Sequence, residues 1–245
     1  MLLHLASWPE VEDYLKRSKG VVIPIGSTEQ HGPNGLLGTD ALCPEIIARE
    51  AAEKAGFLVA PAFNVGSAQH HLAFPGTITL RPSTMIAAIQ DWVASLSRAG
   101  FTRLYFLNGH GGNVPSIKAA FAECYAKWSF DGVACPYRLE ASNWWELPGV
   151  MQTCREIFPV GEGVHATASE VAVTYYGYPE AVKNVAMSPK IAPSGIFTDA
   201  DDYRARFPDG RIGSDPSQST PEKGARIVAA ASAALIREVE AFFGR

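Results

Sequence analysis

The stretch GVVIPIG, residues 20–26, is a continuous apolar run that is rich in β-branched residues. Runs of this kind are typical of strands that are buried on both faces of a sheet. Three more segments are predicted strands: FLVAPAF (57–63), FTRLYFLNG (101–109) and GVACPYRLE (132–140). The chain therefore contains the strands of a sheet that is covered on both faces.

Helical patterns alternate with these strands. The predicted helices span residues 8–19, 41–55, 84–99, 114–128, 168–176 and 221–243. Strands and helices that alternate at this spacing favour a mostly parallel sheet with helices on both faces. We therefore predict a three-layer α/β/α sandwich, formed by a single domain over residues 1–245, with residues 198–218 as a long surface loop.

Composition narrows the class of protein. Apolar residues make up 47% of the chain and charged residues 19%, which excludes a disordered or collagen-like protein. The net charge is only −4 and the Lys and Arg residues are scattered, so nucleic acid is not an expected partner. No segment approaches the ~18 apolar residues that span a membrane. The four cysteines show no paired spacing, so we expect reduced thiols. The apolar start of the sequence is too short for a signal peptide, so we expect a cytoplasmic protein, and the mild charge leaves a small molecule as the expected ligand.

Polar motifs directly follow three of the predicted strands. They are GSTEQHGPNGLLGTD (26–40), NVGSAQHHLAFPGT (64–77) and NGHGGN (108–113). Ligands bind outside the carboxyl ends of the strands in open parallel sheets, so we expect these three loops to form one site. Four of the six histidines lie in them, namely His31, His70, His71 and His110.

The residue types in these loops are typical of a metal site. Glu29 and His31 are two residues apart, so an extended backbone would point both side chains the same way. Asp40 follows at the predicted start of a helix, where it would either cap the helix or bridge two cations. Carboxylates and imidazoles without thiolates suit Zn, Mn or Fe(II), in an open site whose bound water becomes a nucleophile near neutral pH.

Two motifs leave alternatives open. The glycines of NGHGGN would also suit a tight turn whose N–H groups cradle a phosphate before a helix. In HATASE, His165 and Glu170 lie five residues apart across a predicted helix start. They would be a general base and a metal ligand, or only a helix cap and a surface charge.

The motifs, taken in order, resemble those of the creatininase (creatinine amidohydrolase) family. The matching segments are EQHGP with TD eleven residues after its Glu, FPGT, NGHGGN, HATASE and DPSQSTPEKG, and they cover most of the chain. The resemblance implies a centre of two divalent metal ions held by Glu29, His31, Asp40 and His110, with Asp40 as the bridging ligand. It also implies a homohexamer of such subunits.

Departures from the family pattern concern the substrate. In creatinine hydrolases, which this chain resembles, the third motif is NGHYEN and its Glu is a metal ligand. Here Gly112 occupies the position of that Glu. Glu170, which matches a later Glu of the family, is the predicted replacement ligand. Val164 stands where those enzymes have a catalytic Glu, whereas the adjacent motif histidine is retained as His165. We therefore expect creatinine turnover to be weak or absent.

The resemblance predicts a metal-dependent amidohydrolase that hydrolyses a C–N bond of an amide or cyclic amide in a small molecule. His165 and Glu170 are the predicted catalytic residues. The predicted substrate contacts are His71, Gly111, Trp144 and Trp145. The two tryptophans would stack on a planar ring or would belong to the core. The alternative is a non-catalytic protein of the same fold that binds a nucleotide or another small molecule through NGHGGN.

Overall fold

The fold is built on one parallel sheet. The structure is a computed structural model that describes residues 1–244, so the last residue of the predicted domain, Arg245, lies outside the described residues. The strands are β1 (Gly20–Ile25), β2 (Leu58–Val59), β3 (Arg103–Asn108) and β4 (Arg138–Asn143), in the order β2-β1-β3-β4. Every neighbouring pair is parallel, which confirms the predicted type of sheet.

Helices cover both faces of this sheet. They are α1 (Trp8–Arg17), α2 (Thr39–Ala55), α3 (Pro82–Arg98), α4 (Val114–Phe130), α5 (Val150–Ile157), α6 (Ala168–Gly177), α7 (Ala200–Arg206) and α8 (Pro221–Phe243). One hydrophobic cluster joins α2, α5, α6 and α8 to the sheet, and a second joins α1, α3 and α4 to it. The predicted three-layer α/β/α sandwich is confirmed. Among the described helices, none combines the length and apolar composition that crossing a membrane requires.

The central strands explain the continuous apolar runs in the sequence. In β1, Val22 packs into the first cluster, whereas its neighbours Val21 and Ile23 pack into the second. In β3, Tyr105 and Phe106 divide between the clusters in the same way. Successive side chains of a strand point to opposite faces, so a strand with helices on both sides needs apolar residues at every position.

The edge strands are less regular than predicted. The continuous part of the predicted second strand is only Leu58–Val59, and its pairing with β1 returns as a single bridge at Phe63, after Pro61, which has no N–H to donate. The fourth strand, predicted over residues 132–140, is instead Arg138–Asn143, after a turn that follows α4. Its side chains are exposed or half-buried, so burial does not define its bounds.

Residues 198–218 are not the surface loop that their Asp and Gly content predicted. They contain α7, which is capped by the Asp199 side chain accepting a hydrogen bond from the Asp202 backbone N–H at 2.9 Å. Tyr203 of α7 and Phe207, which directly follows the helix, are buried in one cluster with Phe74. The Asp-rich composition was therefore a helix-start signal, and the aromatic residues after it form a small core.

The strand order places a crevice between the ends of β1 and β3. It forms there because β2 lies on one side of β1 and β3 on the other, and ligands bind at such switch points. A Cβ atom on Gly26 or on Gly109 would overlap the backbone carbonyl of Asp40. Glycine at these two positions therefore lets the first turn of α2 enter the crevice.

Candidate metal centre

Glu29 and His31 lie in the loop that follows β1, and both are buried. The Ser27 hydroxyl donates a hydrogen bond to Glu29 Oε2 at 2.7 Å. His31 Nδ1 lies 3.1 Å from the Glu29 carbonyl oxygen and His31 Nε2 lies 3.0 Å from Asp40 Oδ1. With a proton on Nδ1, the ring donates to the Glu29 carbonyl and its Nε2 faces Asp40. Nε2 is then the nitrogen whose lone pair is available to a metal ion.

Asp40 stands between two imidazoles. Its Oδ1 faces His31, and its Oδ2 lies 2.8 Å from His110 Nδ1. The helix α2 begins one residue before it, with Gly38 as the N-cap, so Asp40 is not a plain helix cap. His110 Nε2 lies 3.0 Å from the Ser67 carbonyl oxygen, which leaves Nδ1 of that ring to face Asp40.

Glu170 takes part in a helix cap and also lies beside the predicted metal ligands. It is the third residue of α6, and its Oε1 accepts a hydrogen bond from the Thr167 backbone N–H at 2.5 Å in a capping box. The same oxygen lies 3.9 Å from His31 Nε2. Glu170 therefore groups with His31 and Asp40, and its part as the replacement for the ligand missing at Gly112 stays a prediction. A Cβ atom at Gly112 would meet the His110 ring and the Ser67 carbonyl oxygen.

Two groups of three side chains each bring one ligand atom per residue to within 4.8 Å of one another. The His31 cluster consists of His31, Asp40 and Glu170, and the Glu29 cluster consists of Glu29, His70 and His110. A third combination, Glu29 with His31 and His165, meets the same limit and lies across the two clusters. The structure thus brings all five predicted metal residues together and adds His70, for which the sequence analysis assigned no role.

The charges in the two clusters compensate each other. Burial disfavours protonation of His31, but attraction to Asp40 raises the pKa of that imidazole to about 10. Burial likewise opposes protonation of His110, whose pKa is raised to about 9 by attraction to Glu29 and Asp40. In the polypeptide alone, protonated imidazoles therefore neutralise the carboxylates, and a divalent cation would displace those protons.

Two carboxylate oxygens test whether metal ions fit here. Glu29 Oε1 and Asp40 Oδ2 are fully buried and make no hydrogen bond. Imidazole nitrogens of His71 and His110 lie 3.1 and 2.8 Å from them, but neither is aligned for a hydrogen bond. A buried acceptor without a donor is costly unless a cation or water satisfies it. The donor set of carboxylates and imidazoles therefore fits divalent Zn, Mn or Fe.

His165 lies beside the clusters but precedes α6 rather than opening it, because Thr167 is the N-cap of that helix. Its Nδ1 is 3.8 Å from Glu29 Oε1, and its Nε2 is 2.8 Å from the Gln30 carbonyl oxygen. Burial and the neighbouring imidazoles hold the pKa of His165 well below its usual value. The ring is therefore neutral near pH 7.

Gln30 is a residue that the sequence analysis did not single out. Its Nε2 lies 2.9 Å from His71 Nδ1 and 3.0 Å from the Gly210 carbonyl oxygen, to which it donates. His71, a predicted substrate contact, is thereby held between Gln30 and Glu29, and burial lowers its pKa to about 3. Gln30 lies between the predicted metal ligands Glu29 and His31, and this position was the signal in the sequence that could have identified it.

Asn113, the last residue of NGHGGN, joins the three loops. Its Nδ2 donates to the Gly26 carbonyl oxygen at 2.9 Å, and its Oδ1 accepts from the Ser67 backbone N–H at 2.9 Å. These bonds connect the loop after β3 with the loop after β1 and with the loop that contains FPGT. The last residue of NGHGGN therefore holds the three loops together, a role that the glycines of the motif do not indicate.

A cavity of about 420 Å³ opens onto the two clusters. The predicted substrate contacts His71, Gly111, Trp144 and Trp145 line it, together with Phe197 and Tyr203. Trp144 is only 2% exposed and also belongs to the core, whereas a Cβ atom on Gly111 would meet no atom within 4 Å. The cavity is therefore bounded by fixed aromatic side chains on one part of its wall and open beside Gly111.

The site lies at the switch point of the sheet, where α/β proteins bind their ligands. Its buried carboxylates and imidazoles are typical of metal-dependent hydrolases rather than of nucleotide-binding proteins. The family described as creatininase, creatinine amidohydrolase, matches residues 4–239. The chain therefore belongs to the creatininase family, and with it to the hydrolases that act on carbon–nitrogen bonds other than peptide bonds. This favours the enzyme over the non-catalytic alternative.

Several characterised proteins are similar to this chain. Creatinine amidohydrolase of Pseudomonas putida is 25% identical over 186 residues, 72% of this chain and 71% of that protein. A mycofactocin precursor peptide peptidase of Mycobacterium ulcerans is 28% identical over 229 residues, 85% and 80% of the two chains. The match to 3-dehydro-scyllo-inosose hydrolase of Thermotoga maritima, 34% identical, covers 42% of this chain and 33% of that protein.

Solved structures support the fold independently. A structure named creatininase Mn superposes with a TM-score of 0.84 at 24% identity, covering 100% of this chain and 99% of that one. A mutant creatininase of the Zn-Zn type superposes with a TM-score of 0.84 at 23% identity, covering 100% and 98%. At this level of identity the likeness establishes the fold.

Proposed function

We propose that this protein is a metal-dependent amidohydrolase that cleaves a C–N bond in an amide or cyclic amide of a small molecule, with two divalent cations. The proposed ligands are Glu29, His31, Asp40, His110 and Glu170. One observation carries the proposal: the two oxygens of the buried Asp40 carboxylate face different imidazoles, at 3.0 and 2.8 Å. A carboxylate placed in this way is able to serve two cations at once.

The donor set suits Zn, Mn or Fe. Bound cations of this type supply a Lewis acid and lower the pKa of water toward 7. The residues around them supply orientation, because Ser27 holds the Glu29 carboxylate and the Glu29 carbonyl holds the His31 ring. Such supporting contacts fix which nitrogen of the ring faces the cation. The manganese and zinc forms of the similar creatininase structures agree with this choice of metals.

His165 is the proposed proton carrier. Its ring is neutral at pH 7, its Nε2 is occupied by the Gln30 carbonyl oxygen, and its Nδ1 lies 3.8 Å from Glu29 Oε1, too far for a hydrogen bond. Nδ1 is therefore the nitrogen that accepts a proton and passes it to the leaving nitrogen. Glu170 is the second predicted catalytic residue, and in the metal-free chain burial raises the pKa of its carboxyl to about 7.

The cavity limits the substrate class. Its volume of about 420 Å³ suits a small molecule, and Trp144 and Trp145 supply flat apolar surface. Within the described residues its lining contains no Lys or Arg, which favours a neutral amide over a phosphorylated one. The relatives are named for creatinine, a precursor peptide and an inosose, so the range of substrates is wide. Gly112 and Val164, which replace carboxylates of creatinine hydrolases, argue against creatinine. The predicted homohexamer stays part of this proposal, supported by the family.

The experiment is elemental analysis of protein purified without chelator, followed by a screen of neutral linear and cyclic amides with creatinine among them. We expect about two transition-metal ions per chain, loss of turnover on chelation and its return with Zn²⁺, Mn²⁺ or Fe²⁺. Creatinine turnover should stay below ~10 per second, a typical enzymatic value. A chain without metal or turnover would instead be the non-catalytic binding protein.

A further inference from the structure

The Glu29 cluster contains an imidazole with no assigned role. A ring nitrogen of His70 lies within 4.8 Å of the ligand atoms of both Glu29 and His110. The ring lies almost parallel to that of His110, with an interplanar angle of 14° and centroids 6.0 Å apart. His70 also lines the cavity, so it stands where the Glu29 cluster meets the space for substrate.

His70 differs from its neighbour His71 in how its nitrogens are engaged. His71 is fixed, with Nδ1 2.9 Å from Gln30 Nε2 and Nε2 3.1 Å from Glu29 Oε1. No hydrogen bond reaches the His70 ring from any residue of the described chain, and its other contacts are with aromatic faces, such as Phe197 at 5.1 Å between centroids. Of the two adjacent histidines, only His70 has nitrogens that are free to bind a cation.

The Glu29 cluster has a buried carboxylate oxygen that a cation would satisfy, because Glu29 Oε1 accepts no hydrogen bond. Apart from Asp40, which faces both clusters, each cluster has one carboxylate and one imidazole before His70 is counted. A Cβ atom at Gly112 would overlap the His110 ring, so position 112 supplies no ligand in this arrangement. His70, from another loop, is in place to add one.

We infer that His70 is a metal ligand, which completes a second cation site with Glu29, Asp40 and His110. The inference rests on the proposed function, since it assigns a further ligand to the same centre. The two sites would then have different ligands. The site with His70 would have two imidazoles and two carboxylates, and the site with His31 would have one imidazole and two carboxylates. Imidazole suits Zn²⁺ and carboxylate suits Mn²⁺, so the site with His70 should prefer Zn²⁺.

The test measures metal binding rather than turnover. Metal-free wild type, His70→Ala and His70→Gln are titrated with Zn²⁺ and with Mn²⁺ against a chromophoric chelator. Both variants should weaken one of the two Zn²⁺ sites at least about tenfold, the range found when groups that support metal ligands are removed. The other site should be unchanged. The matched control is His4→Ala, which removes an exposed histidine outside the site.

A second readout is the absorption of the Co²⁺-loaded protein, which reports the ligands directly. We expect one of the two Co²⁺ spectra to change in His70→Gln, and His70→Glu to restore two ions while shifting that site toward Mn²⁺. Metal-free variants should melt as metal-free wild type does, which separates ligand loss from misfolding. Unchanged affinities with a raised KM would make His70 a substrate contact and overturn the inference alone. A wild type that binds no transition metal would overturn the proposed function itself.

Discussion

The His31 cluster and the Glu29 cluster lie side by side but are held by different parts of the fold. In the His31 cluster, Asp40 and Glu170 belong to the first turns of α2 and α6. A helix N-terminus favours a carboxylate, and the turn fixes where it points. All three members of the Glu29 cluster, in contrast, lie in the loops after β1, β2 and β3.

The two clusters therefore differ in what fixes the positions of their side chains. Helix starts place the carboxylates of the His31 cluster through local backbone geometry, which Gly26 and Gly109 permit for Asp40 and the Thr167 N–H supports for Glu170. The Glu29 cluster depends on hydrogen bonds between loops, such as those of Asn113 to the Gly26 carbonyl and the Ser67 N–H. We therefore expect the His31 cluster to hold its cation in a fixed geometry and the Glu29 cluster to be the more adaptable of the two.

The largest expected effect comes from the residue that joins the clusters. Asp40→Ala should remove both cations and reduce turnover to background, because each oxygen of Asp40 faces one cluster. His31→Ala should weaken mainly one cation, since its ring belongs to one side. Elemental analysis and turnover of both variants give the measurement, with Asp40→Asn as the control that keeps the shape of the side chain. Full metal content and activity in Asp40→Ala would disprove the two-metal centre.

A smaller effect is expected at His165, which lies across the two clusters. His165→Ala should keep its metal ions while turnover falls by ~10²–10⁴, the usual contribution of a general acid or base. The measurement combines metal content with the rate on the best amide from the screen, and His165→Gln serves as the variant of similar size. Loss of a cation would make His165 a ligand instead. If both metal and rate survive, the proton carrier has to be sought at Glu170 or His71.

The features that were predictable from the sequence are those set by local pattern. The strands β1 and β3 have continuous apolar runs, residues 21–25 and 104–107, because both faces are covered, and the loops with Glu29, His31 and His110 follow them. Asp40 was found from its position before a helix, although its two imidazole partners come from separate loops. Family motifs then connected these residues before any distance was known.

The features that escaped prediction depend on contacts between distant segments. Tyr203 is buried because Phe74, from the FPGT loop, packs against it, and no periodicity in residues 198–218 encodes that neighbour. The choice between His70 and His71 depends on Gln30, which lies about forty residues away and engages only one of them. The partners of Glu170 likewise depend on the fold, which brings the start of α6 to His31.

The smallest expected effect concerns Glu162, a half-buried carboxyl that lies near Glu170 but belongs to neither cluster. Its Oε2 accepts a hydrogen bond from the Ser169 backbone N–H at 3.1 Å, yet burial raises its pKa to about 7 from an ordinary value of 4.5. The folded chain therefore binds more protons than the unfolded chain in this range, so stability falls as pH rises from 4.5 through 7.

Glu162→Gln keeps an acceptor for the Ser169 N–H but is not able to ionise, so it should remove this loss of stability. We expect the variant to be more stable than wild type at pH 8 by about 1–3 kcal/mol, given ~1.4 kcal/mol per pKa unit, and equally stable near pH 4.5. Each kcal/mol corresponds to about 2–4 °C in melting temperature for a chain of this length. Thermal unfolding of the metal-free proteins across this pH range measures the difference. Metal content should not change, because Glu162 belongs to neither cluster and, unlike their carboxylates, has no imidazole partner among the described residues. Parallel loss of stability in variant and wild type would show that Glu162 is already ionised in the folded chain.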